Sequence, residues 1–525
     1  MSNKKIVFII VAEQGYIRNI YDDEDFSEQN DILFTAISQT YVPLLNMLAK
    51  FENENKLVKI GLVLSAPLCT LLDDPQVQKQ YIDYLDKKIE LGEAELLRNK
   101  NDVELFAQSE RCLNEIKKAK IDFTEVYGHN LIEKFKYFAS KDFLELIPTA
   151  ATYAFLPHYS DMNEVVNAQI ETGLHAHRHF FGETGDGFWL PYMGWFNGAD
   201  KILRAYGINY TVLPTQGFLF SKEAPKTGIF APLRSESSLA LFAKDPDNNV
   251  EEYSSNSLYQ NMQKDIGFDL NIKQLSSFIG KNKVRVQTGY KYFANGNDPE
   301  KNVIYNEQSA FAQVKKDAQN FYNSKCEKLN KASELMAGKE AVDVVVINAE
   351  SLGQSWYEGM KWFEEVITLI EKDQKISLAL CRDLIDSQFS LPKIDPYTCA
   401  ESGEGYGEDL LDSSNGWMMR YIRKANERMI DLTERFPSDT GLKARLLNLG
   451  ARELLLAQSG DWPKMIHEKR IPEYVSQYFK KCIISFTTVF DSLGSNSVST
   501  EWLTKLEKEH DIFTWLNYRI FSRKK

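Results

Sequence analysis

The 525-residue sequence lacks any long run of lysine and arginine, and its formal net charge is −12. Surfaces that bind nucleic acid or anionic membranes carry clustered basic side chains, because those partners are polyanions. We therefore expect no nucleic-acid partner and no anionic membrane partner. Hydrophobic residues make up 43% of the chain and charged residues 26%, a composition typical of globular proteins with a large core.

Cysteine is scarce and scattered. The six copies show no Cys-x-x-Cys spacing, which disfavours a zinc ribbon or a thiol redox motif. The sequence therefore predicts free thiols in a reducing compartment, and the expected location is cytoplasmic. The cysteines are Cys69, Cys112, Cys326, Cys381, Cys399 and Cys482.

Long apolar runs are also missing. The first apolar run covers residues 6–12 and follows two lysines, a pattern that faintly resembles a signal peptide. No small-residue cleavage site follows it, so a buried first strand is the favoured interpretation. A membrane-spanning helix needs about 20 apolar residues, and we expect no insertion into a membrane.

Motifs for phosphate loops, dinucleotides and nucleophile elbows are absent, and no cofactor is expected. The glycine-rich segment 403–410 does not follow a strand in the required way, which predicts a flexible loop. His175, His177 and His179 alternate and could hold a metal if they lay on a strand. Their segment has the pattern of a helix, where only His175 and His179 share a face. We therefore predict no metal site.

The pattern that is present alternates short β-branched runs with longer amphipathic segments. Near-continuous apolar runs are typical of parallel strands that are covered on both faces. Repeated strand-then-helix units predict a (β/α) barrel or a doubly wound sheet. The predicted strands are 5–12, 57–65, 144–152, 187–191, 208–214 and 341–350, and the predicted helices include 31–50, 163–182 and 356–372.

Two stretches interrupt this alternation. The charged segment 70–142 predicts a helical insertion, and 218–300 predicts an excursion with short strands in IFAPLR and LALFAKD. Beyond the proline- and glycine-containing stretch 391–407, the pattern is almost wholly helical. We predict a barrel domain over 1–395 and a helical C-terminal domain over 396–525.

Side chains that follow the strands are the candidate site. In (β/α) barrels, the carboxyl ends of the strands converge on one mouth. For any single residue, a solvated loop position is the competing interpretation. The strand-end residues are Glu13, Tyr153, Tyr192, Gln216 and Asn348.

Longer segments resemble glycoside hydrolase family 57, and specifically its α-1,4-glucan branching enzyme branch. ARELLLAQSGDWPKMI (451–466) is similar to the helical signature of that branch, and NGWMMRYIRKANERMIDL and DIFTWLNYR follow its pattern. LFTAISQTYVPLL, GFWLPYMGW, FAPLRSESSLALFAKD and WYEGMKWFEEV resemble its barrel segments. The resemblance covers essentially the whole chain. It implies a distorted (β/α)7-type barrel with a helical insertion and an all-helical C-terminal domain.

The resemblance also implies that the catalytic pair is substituted. The family's Trp-Leu-Pro-Glu motif, which carries the nucleophile, matches WLPY and places Tyr192 at the glutamate. Its Asp-Thr-Glu-Leu-Phe-Gly-His-Trp-Trp motif matches NAESLGQSW and places Asn348 at the general acid. Neither catalytic carboxyl group is expected to be intact.

Other motif positions at the barrel mouth are replaced as well, while the scaffold segments remain readable. Drift without constraint would be expected to blur both. By this resemblance, Val11 and Glu13 replace the two histidines of the first motif, and Tyr153 replaces that of Ala-Thr-His. Gln216 and Gln354 replace two further histidines, and Ser402 replaces the tryptophan of Ser-Ser-Trp-Gly.

Two routes could preserve catalysis. A Tyr192 nucleophile would need a base, for which Glu13 is the candidate, but Asn348 cannot donate a proton to a leaving group. A relocated pair could use Glu13 and Glu350, because residues two apart on a strand share a face and Glu350 would then lie beside Asn348. The favoured interpretation of Glu350 is a carboxylate that orients its neighbours. Glu358 is interpreted as a charge at a helix start.

Aromatic residues make up 12% of the chain, and several lie at or near motif positions. They could stack on sugar faces, or they could fill a cleft that the catalytic groups have vacated. The aromatic candidates are Tyr16, Tyr153, Trp189, Tyr192, Trp195, Trp356, Tyr357 and Trp462.

These observations lead to three hypotheses about function. The first is a catalytically degenerate relative of glucan branching enzymes that acts in binding or assembly, with residual α-glucan affinity. The second is an active α-glucan branching or hydrolysing enzyme with an altered site. The third is a structural partner of another protein, with a closed cleft.

Overall fold

The fold was analysed in a computed structural model that describes residues 3–19, 28–247, 250–275, 278, 285–298, 300–386, 388–495 and 497–523. Its strands are short and mostly buried. They are β1 (Lys4–Ala12), β2 (Ile60–Leu64), β3 (Leu144–Ile147), β4 (Tyr210–Leu213), β5 (Leu233–Arg234), β6 (Ala240–Ala243), β7 (Phe293–Ala294), β8 (Val303–Ile304), β9 (Ala341–Asn348) and β10 (Ser377–Leu378).

Strand β1 is the centre of the main sheet. It pairs in parallel with β9 along its whole length, with Val7 opposite Val344, and with β2 through its second half. Its first half also pairs with β10, and β2 pairs with β3. Seven consecutive residues of β1 are buried, as the near-continuous apolar run predicts for a strand covered on both faces.

Parallel bridges close this sheet into a barrel. The segment 187–189 joins β3 to β4 through the pairs Thr149–Trp189 and Gly187–Tyr210. Strand β4 pairs with β6, and Lys244 pairs with Val344 of β9. The ring therefore runs β1, β2, β3, 187–189, β4, β6, β9 and back to β1. The expectation of a (β/α)7-type barrel is confirmed.

Two details of the predicted strands are wrong. The segment 187–191 makes only single bridges, because a 3₁₀ turn begins at Pro191. The run LALFAKD belongs to the barrel and not to an excursion, since β6 lies in parallel beside β4. The neighbouring run IFAPLR does form the short antiparallel strand β5 against β6.

Helices cover the barrel and form most of the inserted segment. The predicted helical insertion is confirmed by three helices, of which Pro75–Asn99 is the longest. The helices of this part are Glu28–Ala36, Val42–Asn53, Ala66–Asp73, Pro75–Asn99, Val103–Ile121, Leu131–Ser140, Asn163–Phe181, Ala199–Ala205, Thr215–Leu219, Val250–Tyr253, Ile266–Asp269, Glu307–Leu335 and Gly359–Asp373. A π-helical turn, Ile37–Tyr41, joins the first two.

The helix Gly359–Asp373 illustrates how these elements attach. The apolar side chains of one stripe recur at helical spacing and are buried. Burial of each such side chain stabilises the fold by about 1.5–3 kcal/mol. The buried stripe consists of Trp362, Phe363, Val366, Ile367 and Ile370.

The chain beyond residue 415 is helical, as predicted. Gly441–Ala457 packs against Pro472–Ser495, and both are largely buried along one side. The helices are Gly416–Arg435, Gly441–Ala457, Asp461–His467, Pro472–Ser495 and Thr500–Glu509. The boundary between residues 395 and 396 stays a prediction.

One helical stretch, Gln29–Asn53, is long and apolar enough on average to cross a membrane, although its sequence contains no continuous apolar run of that length. In the structure, 61% of its most apolar window is buried. Its apolar side chains pack against the barrel, as those of a core helix do.

Candidate functional site

The carboxyl ends of the barrel strands enclose a cavity of about 600 Å³. Glu13 follows β1, Tyr153 follows β3, Tyr192 follows 187–189, and Asn348 ends β9; all four lie in its wall. A second wall comes from the segment 460–470 of the helical C-terminal part. The structure therefore brings four of the five predicted strand-end residues together.

Tyr192 stands on a strained turn. Its φ is 54° and its ψ is 24°, and Met193 also has a positive φ of 47°. This left-handed conformation costs a non-glycine residue of the order of 1 kcal/mol or more, and it is most often retained at functional sites. The turn aims the tyrosine side chain into the cavity.

The Tyr192 side chain is enclosed by aromatic rings and by the turn before Asp461. Its ring lies 5.0 Å from that of Tyr153 in an edge-on arrangement, and the Nζ of Lys464 lies 5.5 Å from its centre. A Cβ on Gly460 would lie 2.7 Å from Cε2 of Tyr192, so only glycine leaves room for this ring.

The phenol of Tyr192 is poorly suited to nucleophilic attack. Burial raises the pKa of Tyr192 well above its ordinary value, and the nearby carboxyl groups of Glu13 and Asp461 raise this pKa further. In the described part of the chain, the Oη of Tyr192 is buried and has no hydrogen-bond partner. Without a base at the oxygen, the hydroxyl keeps its proton.

Glu13 and Asp461 bring two carboxyl groups into hydrogen-bonding reach of each other. Burial, followed by the charge of Asp461, raises the pKa of Glu13 well above its ordinary value. Burial also raises the pKa of Asp461, whose Oδ2 accepts a hydrogen bond of 2.9 Å from Ser459 Oγ. Two carboxyl groups in such contact cannot both ionise easily, so the pair retains a proton.

Glu350 occupies the cavity rim and does not lie on the strand. Strand β9 ends at Asn348, and residues 349–352 form a 3₁₀ turn, so the shared strand face predicted for Glu350 and Asn348 is wrong. Glu350 Oε1 accepts a hydrogen bond of 3.2 Å from Nη1 of Arg470. This contact agrees with the interpretation of Glu350 as an orienting carboxylate.

Three other predicted residues also line the cavity and have identifiable partners. Gln354 Nε2 lies 3.4 Å from the carbonyl of Ile32. Ser402 Oγ donates to Asp409 Oδ2 at 2.6 Å. Trp189 Nε1 donates to Tyr153 Oη at 3.0 Å, which fixes both rings in the wall.

Four predicted cleft residues do not line this cavity, and their assignment is corrected. Tyr16 is buried, and Gln216 donates to the carbonyl of Ala400 at 2.8 Å. Trp356 packs among other aromatic rings, including that of Trp362. Trp462 is fully buried, and its Nε1 donates to the carbonyl of Leu456. Motif membership alone does not distinguish a core aromatic from one that contacts a ligand.

Sequence reasoning missed the contribution of the C-terminal part to the cavity. Asp461, Lys464, Glu468 and Arg470 all line it. The signal was present, because Asp461 and Lys464 belong to the SGDWPK segment that carries the family resemblance. Without the fold, nothing indicated that this segment closes over the barrel mouth.

The histidines of the HAHRHF segment are dispersed around a helix, as the helical interpretation predicts. His175 stacks on Trp515 with ring centres 3.6 Å apart, and burial lowers the pKa of His177 to about 3. Among the described residues, one group has ligand atoms close enough to hold a metal: Glu453, Cys482 and His510. It is buried outside the cavity, and His510 Nδ1 lies 2.6 Å from Glu453 Oε1.

The seven-stranded barrel, its cavity and the helical C-terminal part define an architecture that known proteins share. The model of glycosyl hydrolase family 57 matches residues 7–397, and the model of the C-terminal region of 1,4-alpha-glucan branching enzymes matches residues 421–521. The chain belongs to glycosyl hydrolase family 57, which confirms the resemblance.

Individual relatives agree with this placement. The 1,4-alpha-glucan branching enzyme TK1436 of Thermococcus kodakarensis is 24% identical over 507 residues, which cover 90% of this chain and 71% of that protein. The alpha-amylase AmyC of Thermotoga maritima is 27% identical, with a TM-score of 0.91 and 99% coverage of both chains.

A branching enzyme of Pyrococcus horikoshii has the same fold. It is 20% identical, with a TM-score of 0.87, and the match covers 100% of this chain and 97% of that one. The relatives include branching enzymes and an amylase, so family membership does not select one activity.

Proposed function

We propose that this protein is a catalytically degenerate member of its family that binds α-glucan or a related oligosaccharide in the barrel-mouth cavity. The observation that carries the proposal is that Tyr192 and Asn348 open onto one cavity, and the motif resemblance assigns these two residues to the family's nucleophile and general acid. Retaining glycosidases need two carboxyl groups about 5–5.5 Å apart. A neutral phenol and a carboxamide supply neither the nucleophile nor the acid.

The volume and the lining of the cavity support the binding part of the proposal. Its volume of about 600 Å³ falls within the usual range of small-ligand sites. Its wall combines the aromatic rings of Tyr153, Trp189 and Tyr192 with charged groups. Aromatic faces and hydrogen-bonding groups are the surfaces that sugars use.

An active enzyme with an altered site is the second candidate, because Glu13 and Asp461 place a carboxyl pair in the cavity. Their separation argues against it. Carboxyl groups in hydrogen-bonding reach are closer than the roughly 5–5.5 Å of retaining enzymes or 6.5–9.5 Å of inverting ones. A pair that shares a proton leaves no room for a glycosidic bond between its members.

Activity is tested by reducing-end release and iodine staining with amylose at high protein concentration. We expect no turnover by the unmodified protein. Turnover that disappears in Tyr192→Phe would overturn the degenerate assignment and support an altered catalytic site, since this variant removes only the phenolic oxygen.

Binding is tested by isothermal titration with maltooligosaccharides. Asn348→Trp would place an indole at the exposed end of β9, where it should block the cavity and reduce affinity at least tenfold. The matched control is Asn323→Trp, on the exposed face of the helix Glu307–Leu335, which should leave affinity unchanged. Undetectable binding at millimolar sugar would instead favour a structural protein partner.

A further inference from the structure

The cavity wall carries more negative than positive side chains. Three cations line it, and each pairs with a carboxylate: Lys244 with Glu401, Arg470 with Glu350, and Lys464 with Asp409 and Glu468. Glu13 and Asp461 also line it, and neither forms an ion pair with a cationic side chain of the described residues. The Glu13–Asp461 pair therefore adds negative charge to the wall without an ion-pair contact to a described cation, although the charges of Lys464 and Arg470 act on it from a distance.

The close approach of two segments holds this pair together. A Cβ on Gly15 would lie 2.8 Å from the ring of Trp462 and 3.3 Å from Cβ of Asp461. The chain after β1 is thus pressed against the start of the helix Asp461–His467, and glycine permits the contact. The position of the two carboxyl groups follows from this packing.

Two buried polar atoms at the Glu13–Asp461 pair have no hydrogen-bond partner among the described residues. The Oε2 of Glu13 is buried and receives no hydrogen bond from any donor in the described part of the chain. Tyr192 is only 8% exposed, and its Oη likewise lacks a partner there. Buried polar atoms without partners are costly, and a bound ligand is one way to satisfy them.

We infer that the cavity selects a sugar that carries a protonated amine, with the ammonium group bound against the cavity side of the Glu13–Asp461 pair. This inference rests on the proposed sugar-binding function. An ammonium group has three donors and one positive charge, so it can donate to both carboxyl groups and to Tyr192 Oη. Even while the pair retains a proton, its second member supplies one negative charge for the ligand.

The probes are D-glucosamine, D-glucose and N-acetyl-D-glucosamine, which differ at one ring substituent. Titrations are run near neutral pH in phosphate, because an amine buffer would compete for the same carboxyl groups. We expect D-glucosamine to bind at least tenfold more tightly than either neutral sugar. Equal affinities for all three would overturn the inference.

Substitutions at the pair, compared with a control, test whether the pair causes the preference for D-glucosamine. Asp461→Asn removes the charge at nearly constant shape and should reduce the preference for D-glucosamine to less than threefold. Glu327→Gln is the control, because it removes an exposed carboxylate that lies outside the cavity and pairs with Lys331, and it should keep the preference. Glu13→Gln tests the same pair if Asp461→Asn does not fold. A preference that survives in the folded variant of the pair would contradict the assignment.

The result is separable from that of the proposed function. Maltooligosaccharide binding without a preference for the amine would remove this inference and leave the proposed function standing. Binding of D-glucosamine without binding of maltooligosaccharides would support this inference and remove the α-glucan assignment.

Discussion

Two groups of charged side chains in the barrel show opposite ways of placing charge inside a protein. In the first, Lys325 and Lys328 both contact Asp245, and Lys325 Nζ lies 3.7 Å from Asp343. Lys325 and Asp245 are almost completely buried, with side chains 2% and 0% exposed. In the second group, Glu13 meets Asp461 at the cavity, and no cationic side chain of the described residues is in contact with either.

The contrast separates a structural charge cluster from a candidate binding site. Buried opposite charges compensate each other, and removing one is costly because the other is left unpaired. The Lys325 and Lys328 cations lower the pKa of Asp245 to about 2 despite its burial, so it stays ionised. Burial and a like charge raise the pKa of Glu13 instead, which favours its protonated form. At the Glu13–Asp461 pair, a cationic ligand can supply the counter-charge that the described side chains do not provide by direct contact.

The largest effect is expected from breaking the compensated cluster with Lys325→Met. Asp245 would lose a buried counter-charge, and the free energy of unfolding should fall by about 3 kcal/mol. Urea denaturation at neutral pH measures this change. Lys331→Met removes an exposed lysine from the same helix and should change stability little. A loss below about 1 kcal/mol would mean that the cluster does not behave as a compensated one.

A smaller, pH-dependent effect is expected from Glu13→Gln. The raised pKa of Glu13 means that the folded protein holds a proton which the unfolded chain loses near pH 4.3. The stability from this proton is fully present below that pH and is lost as the pH rises through the folded pKa. The variant avoids the loss, so above about pH 4.5 its free energy of unfolding should increasingly exceed that of the unmodified protein, by about 1.4 kcal/mol per unit of pKa shift.

Urea denaturation at several pH values checks this trend. Glu327→Gln, at an exposed carboxylate that pairs with Lys331 away from the cavity, is the control and should show no such gain in stability. Stability curves for Glu13→Gln and the unmodified protein that run parallel across the pH range would show that Glu13 and Asp461 do not share a proton.

The smallest expected change in stability concerns two buried tyrosines, Tyr210 and Tyr192. Tyr210 Oη donates to Glu145 Oε1 at 2.7 Å, whereas Tyr192 Oη has no partner among the described residues. Tyr210→Phe should cost about 1.5 kcal/mol, because Glu145 loses a buried hydrogen bond. Tyr192→Phe should be neutral or slightly stabilising. Thermal unfolding of both variants measures the difference, and equal losses would indicate a partner for Tyr192 within the protein.

The site was only partly predictable from sequence. The strand-end rule and the family motifs pointed to Glu13, Tyr153, Tyr192 and Asn348, because the carboxyl ends of parallel strands meet at one edge of the sheet. The same motifs led to the prediction that Trp356 and Trp462 line the cleft, but both side chains are buried in the core. An aromatic residue in a motif has the same sequence signature whether its ring packs inward or faces a ligand.

The sequence by itself determined the alternation of strands and helices, the helical C-terminal part and the residue identities at the motif positions. The alternation follows from local apolar periodicity, whereas the choice of a barrel over a doubly wound sheet came from the resemblance to the family. Only the tertiary structure brought Asp461 against Glu13 and closed the cavity with residues 460–470. That contact joins segments far apart in the chain, and packing at Gly15 and Gly460 permits it.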